Sequence, residues 1–149
     1  MSHTVAAATA TTTATPAVTS TRPRAARIAL RSLEVLLGLF FGVASGLPKL
    51  FAHPTAVEAF ERLGWGDAGM YTIGALELLG GIALLIPVLS SVAATAFIGL
   101  MIGASIVTVT ALGGENAATP LILILPLAWI AWARRGQTAE LVRLVRRRV

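Results

Sequence analysis

The stretch 92–112 carries no charged side chain, and the stretch 70–89 carries one, Glu77. An α-helix rises about 1.5 Å per residue, so roughly 20 apolar residues match the hydrocarbon thickness of a bilayer. Two further stretches read the same way: 28–50, with a continuous apolar core at 35–47, and 117–133, the shortest. Composition agrees. Hydrophobic residues make up 56% of the chain and charged residues 13%, against about a quarter charged in a soluble domain. A water-soluble fold of one domain would lack the polar surface to cover itself. The sequence therefore predicts an all-α fold, a bundle of four transmembrane helices in residues 27–135.

The arginines orient the bundle. All except Arg62 lie before or at the mouth of the first stretch, or after the fourth. The 51–69 connection sets Arg62 against Glu58, Glu61 and Asp67, and the 113–116 turn is acidic. Basic residues stay on the cytoplasmic side, and four spans return the C-terminus to the side of the N-terminus. Charge distribution and span count together predict that both termini are cytoplasmic. Within the first connection, residues 55–63 place Ala56, Phe60 and Leu63 on one face, which predicts a short amphipathic helix at the outer interface. Thr119 and Pro120 predict an N-cap and a first-turn proline for the fourth span, and Arg134-Arg135 its end.

Residues 1–26, rich in Ala and Thr, read as a disordered tail. Residues 136–149 read as a basic amphipathic tail suited to anionic lipid rather than nucleic acid. The absence of cysteine excludes disulfides and thiol chemistry, and two histidines, His3 and His53, are too few and too far apart for a metal site.

Glycines four apart let helix backbones approach closely in lipid. Gly38, Gly42 and Gly46 form such a ridge, Gly99 and Gly103 repeat the device, and Gly80 and Gly81 leave room beside Glu77. All seven are read as packing positions, for a helix of this chain or of a second copy in a homo-oligomer. Glu77 lies about 9 Å inside its span, where an ionised carboxylate must be paired, protonated or beside a polar cavity. Lys49 ends the first span on the same side and can reach it. Arg31 lies roughly five turns before Lys49, which puts both on the Gly38–Gly42 face, and Glu34 can pair with Arg31. Glu77, Lys49, Arg31 and Glu34 are the candidate buried polar site.

Leu30-Arg31, Gly38-Leu39-Phe40-Phe41-Gly42 and Gly46-Leu47-Pro48-Lys49-Leu50-Phe51 resemble the first span of the DoxX family. Glu77-Leu78-Leu79-Gly80-Gly81-Ile82-Ala83-Leu84-Leu85 resembles its E-x-x-G-G stretch. The resemblance covers about residues 27–133 and implies a bacterial inner-membrane four-helix protein. Some relatives are linked to membrane oxidoreductases, including thiosulfate:quinone oxidoreductase subunits, and others to oxidative-stress complexes. It thus implies an accessory or quinone-associated subunit with redox partner proteins, and quinone as a cofactor. The chain offers no nucleophile–base pair, metal cluster or phosphate loop for catalysis on its own. The alternative is a small proton-coupled transporter that uses Glu77.

Overall fold

The structure is a computed structural model that describes residues 24–114 and 116–146, with 137–146 described by their backbone alone. Five helices follow one another among these residues: α1 (Arg24–Leu50), α2 (Pro54–Arg62), α3 (Gly66–Leu85), α4 (Ser90–Ala111) and α5 (Ala118–Arg146). Of these, α1, α3 and α4 are long and apolar enough to cross a membrane. The uncharged part of helix α5 reaches only Ala133, about 24 Å of rise, and the helix then runs unbroken through Arg134, Arg135 and Gly136 to Arg146.

The expected boundaries shift at several points. Helix α1 starts at Arg24, inside the stretch assigned to the tail; the rest of that tail, 1–23, lies outside the described residues. Helix α3 starts at Gly66 and stops at Leu85 rather than running to residue 89, because Pro87 cannot continue a helix. Thr119 falls inside the first turn of α5 instead of capping it, and its N–H donates to the Asn116 carbonyl at 3.0 Å. The C-terminal tail continues α5 rather than forming a separate piece, and its amphipathic face, in residues 137–149, lies outside the described side chains.

Helix α1 is not uniform. Phe40–Gly46 is wound as a π-helix, and the Leu47 N–H donates to the Gly42 carbonyl five residues back. Pro48 follows directly and donates no backbone hydrogen bond. Wide turns of this kind are rare, occur as local insertions in α-helices and are common at functional sites. Each takes in about one residue more than an α-turn, so a face counted at 3.6 residues per turn does not carry from Arg31 to Lys49.

The helices pair as α1 with α3 and α4 with α5, each pair antiparallel. Helices α3 and α4 join the pairs, through a connection of four residues. The core lies between the pairs: Leu30, Leu37 and Phe41 of α1 meet Leu84, Ala93, Ala94, Phe97, Met101, Leu127 and Ile130. Phe41 stacks on Phe97 with ring centroids 4.1 Å apart, and Ser91 Oγ donates to the Ala131 carbonyl at 3.1 Å. Outside the core, Leu36, Leu79, Ile106 and Leu125 each expose more than half their surface. In water that would be an aggregation surface; in a bilayer it is the face turned to lipid.

Helix α2 lies across one end of this bundle. Phe60 is buried, Ala56 and Leu63 are half-buried, and Glu58 and Arg62 pair at 2.6 Å on the exposed side. The backbone reverses at both ends of α2, at Ala52 (φ +50°) and at Gly64 and Gly66 (φ +70° and +55°).

Candidate functional site

The glycine ridge sets the first distances. A methyl group at Gly81 would lie 2.6 Å from the Gly38 carbonyl oxygen and 2.9 Å from the Gly42 nitrogen, and one at Gly46 3.1 Å from the Gly74 carbonyl oxygen. Helices α1 and α3 thus touch backbone to backbone from Gly38 to Gly46. Gly42 rests against the Leu78 side chain, and Gly80 against the ring of Phe97. Gly99 and Gly103 form no seam with another helix of the described chain. Apart from the adjacent residues and the nearby backbone of its own helix, no described atom lies within 4 Å of a Cβ at either position, and both line a cavity.

Close contact of α1 and α3 brings Lys49 onto Glu77. The Lys49 Nζ donates to Glu77 Oε2 at 2.7 Å, and also to the carbonyl and the hydroxyl of Ser45, each at 3.0 Å. Glu77 is 5% exposed. Ser45, at the end of the π-helical stretch and one turn before Lys49, thus helps hold the ammonium beside Glu77. In a membrane interior, a buried charge pair of this kind needs its remaining polar atoms satisfied. On the Lys49 side all three N–H groups are used.

Arg31 and Glu34 pair with each other, as expected, and are not part of that cluster. They sit about 20 Å away at the other end of α1. Glu34 is fully buried and takes three N–H groups: Arg134 Nε at 2.6 Å and Nη2 at 3.0 Å, and Arg31 Nη1 at 3.2 Å. The two Arg134 bonds form the bidentate fork that suits a guanidinium to a carboxylate. Rise along α1 separates the two ends, where Lys49 meets α3 and Glu34 meets α5. Sequence reading took Arg134 only as the stop of the fourth span. A signal was present, since Glu34 lies inside the first span on the side where the fourth span ends in two arginines.

The cavity, of about 380 Å³, lies between the end of α1, α2, the first half of α3 and the second half of α4. Phe60, Leu63, Ile73, Met101 and Val107 supply most of its apolar wall, and Glu77 and Lys49 its deepest polar group. The span-three helix, read from its glycines as mainly packing, thus forms one wall of the site.

Long apolar helices, a backbone-tight glycine seam and buried ion pairs between helices define an integral membrane protein of the helical-bundle type. The family comparison makes this specific. The DoxX-like family model matches residues 32–139, and the chain belongs to that family. No curated protein and no solved structure matches it.

Proposed function

We propose that the protein is an accessory membrane subunit of an oxidoreductase assembly, and that it holds a quinone-class molecule in the cavity beside Glu77 and Lys49. The observation that carries this reading is the cavity. Its volume of about 380 Å³ falls within the range of small-molecule sites, and such sites combine an apolar wall with a few placed polar groups. The family resemblance supplies the redox context and the expectation of partner proteins.

The same reading places four spans in the inner membrane with both termini cytoplasmic. Helix α5 is the short member. Its exposed Trp129 and Trp132, and Arg135 placed 5.3 Å over the Trp132 ring, suit the headgroup level where aromatic and basic side chains anchor a short span. Arg24, Arg27 and Arg135, all exposed, then face anionic lipid.

A transport role for Glu77 has less support. A proton-coupled acid exchanges its proton for a substrate, whereas Glu77 has a fixed cation at 2.7 Å.

The test is purification in mild detergent of the wild type and of Gly103→Leu, with extraction and identification of lipid-soluble molecules. The leucine enters space that is open around Gly103 and fills the cavity. The expected result is quinone in the wild type and its loss from a folded variant. Equal quinone in both, or none in the wild type, removes the proposal.

A further inference from the structure

We infer that the cavity selects a neutral lipophilic molecule that donates a hydroxyl hydrogen, of the phenol or hydroquinone class, over the corresponding quinone. The inference rests on the cavity reading above and deepens it. Four polar side chains line the cavity: Lys49, Trp65, Glu77 and Thr108. Their free hydrogen-bonding capacity is uneven.

Lys49 has no donor left, because its three N–H groups go to Glu77 Oε2 and to the two Ser45 oxygens. Glu77 Oε1, by contrast, accepts no hydrogen bond from any described residue. Glu77 is 95% buried and lines the cavity, counting from its 5% exposure. A carboxylate oxygen is an acceptor only, and a buried acceptor left unpaired is costly. The group that completes it must bring an O–H or N–H.

Charge narrows the choice further. Glu77 and Lys49 form a pair with no net charge, so a cation entering the site would meet the Lys49 ammonium and an anion the Glu77 carboxylate. A neutral donor meets neither objection. The apolar wall and the aromatic rings of Phe60 and Trp65 favour a lipophilic body, and α2 covers the cavity with Ala59, Phe60 and Leu63. Shielded from water, a hydrogen bond to Oε1 is stronger than at a surface. Trp65 and Thr108 can each donate to an oxygen of the reduced or the oxidised molecule alike. The buried acceptor alone tells the two apart, since a quinone has no hydrogen to give.

The probes are a short-tailed hydroquinone, its dimethyl ether and the corresponding quinone, each titrated into the wild-type protein in lipid nanodiscs against empty nanodiscs. A hydrogen bond to a charged acceptor is worth about tenfold or more in affinity, so the hydroquinone is expected to bind at least about tenfold more tightly than either other probe. Gly103→Leu, which blocks the cavity, should remove the binding of all three. The double variant Lys49→Met, Glu77→Met replaces the pair with apolar groups of similar size and should erase the preference while the ether still binds. If the three probes bind the wild type within about threefold of one another and Gly103→Leu removes them all, donor selection is overturned and the cavity reading stands. If no probe binds above the empty nanodiscs, both fall.

Discussion

Removing Arg134 tests whether the buried carboxylate of Glu34 depends on a residue 100 positions away in sequence. Glu34 is fully buried and its strongest partner is the Arg134 fork, at 2.6 and 3.0 Å. Arg31 is a weaker substitute, at 3.2 Å with its side chain 43% exposed. Breaking a buried pair by deleting one partner costs about 3–5 kcal/mol, because the other charge stays buried. Since Arg31 remains in Arg134→Met, the low end applies, about 3 kcal/mol. Glu34→Leu should cost less, about 1–2 kcal/mol, because Arg134 is 17% exposed and a long cation can turn towards the interface. The double variant restores a matched apolar pair and should lie within about 1 kcal/mol of the wild type. The coupling is then about 3 kcal/mol, well above the roughly 0.6 kcal/mol average for interhelical hydrogen bonds in membranes. Reversible unfolding in mixed micelles with increasing SDS measures all four proteins. The reasoning is refuted if the double variant loses the sum of the two single losses to within about 0.5 kcal/mol, the margin for independent sites.

Glycine substitutions should divide sharply. Gly81→Ala sets a methyl 2.6 Å from a backbone oxygen, and overpacking of this kind should cost about 1–3 kcal/mol in the same unfolding assay; Gly99→Ala meets open space and should be neutral or stabilising by up to about 1 kcal/mol, as for Gly→Ala within a helix. Phe97→Ala removes the stack with Phe41 and a ring only 3% exposed, and should cost about 3 kcal/mol or more, read as a lowered melting temperature in detergent. Ala52 holds φ +50°, a region that costs a non-glycine residue about 1–2 kcal/mol. Ala52→Gly should therefore stabilise by about 0.5 kcal/mol after the entropy of glycine is subtracted, and a loss of stability would show that the residue is not strained.

The helices were legible because their signals are local. Apolar length marked α1, α3 and α4, and the spacing of Ala56, Phe60 and Leu63 marked α2. Contact between Lys49 and Glu77 was within reach too, since a buried carboxylate needs a cation and Lys49 is the basic residue at that membrane edge. What sequence could not show depends on winding and partner choice. Nothing in Phe40–Gly46 announces a π-helix: phenylalanine, valine, alanine, serine and glycine all occur in membrane α-helices as well. Once that stretch is wound differently, a face counted from Arg31 no longer predicts where Lys49 points. That Gly99 and Gly103 meet no helix of this chain has a related reason. Glycines four apart make close approach possible, but whether a helix or a cavity takes the space is decided by neighbouring side chains from α2 and α3.

Helix α1 is the part that ties these observations together, because it carries an acid at one end and a base at the other. Its Glu34 is held by α5 and its Lys49 holds Glu77 of α3. The core is mostly apolar, so hydrophobicity alone does not distinguish this register of α1 from one displaced by a turn, about 5.4 Å. A slide of that size separates both ion pairs at once, leaving two buried carboxylates without their cations. It also drives the Gly38–Gly81 and Gly46–Gly74 contacts apart, and puts side chains where backbone now meets backbone. The ion pairs and the glycine ridge thus reject the same alternatives, one by charge and one by volume. The cavity inherits its geometry from that fixed register. Glu77 keeps one oxygen on Lys49 and one uncommitted only while α1 stays where Glu34 and the glycines hold it.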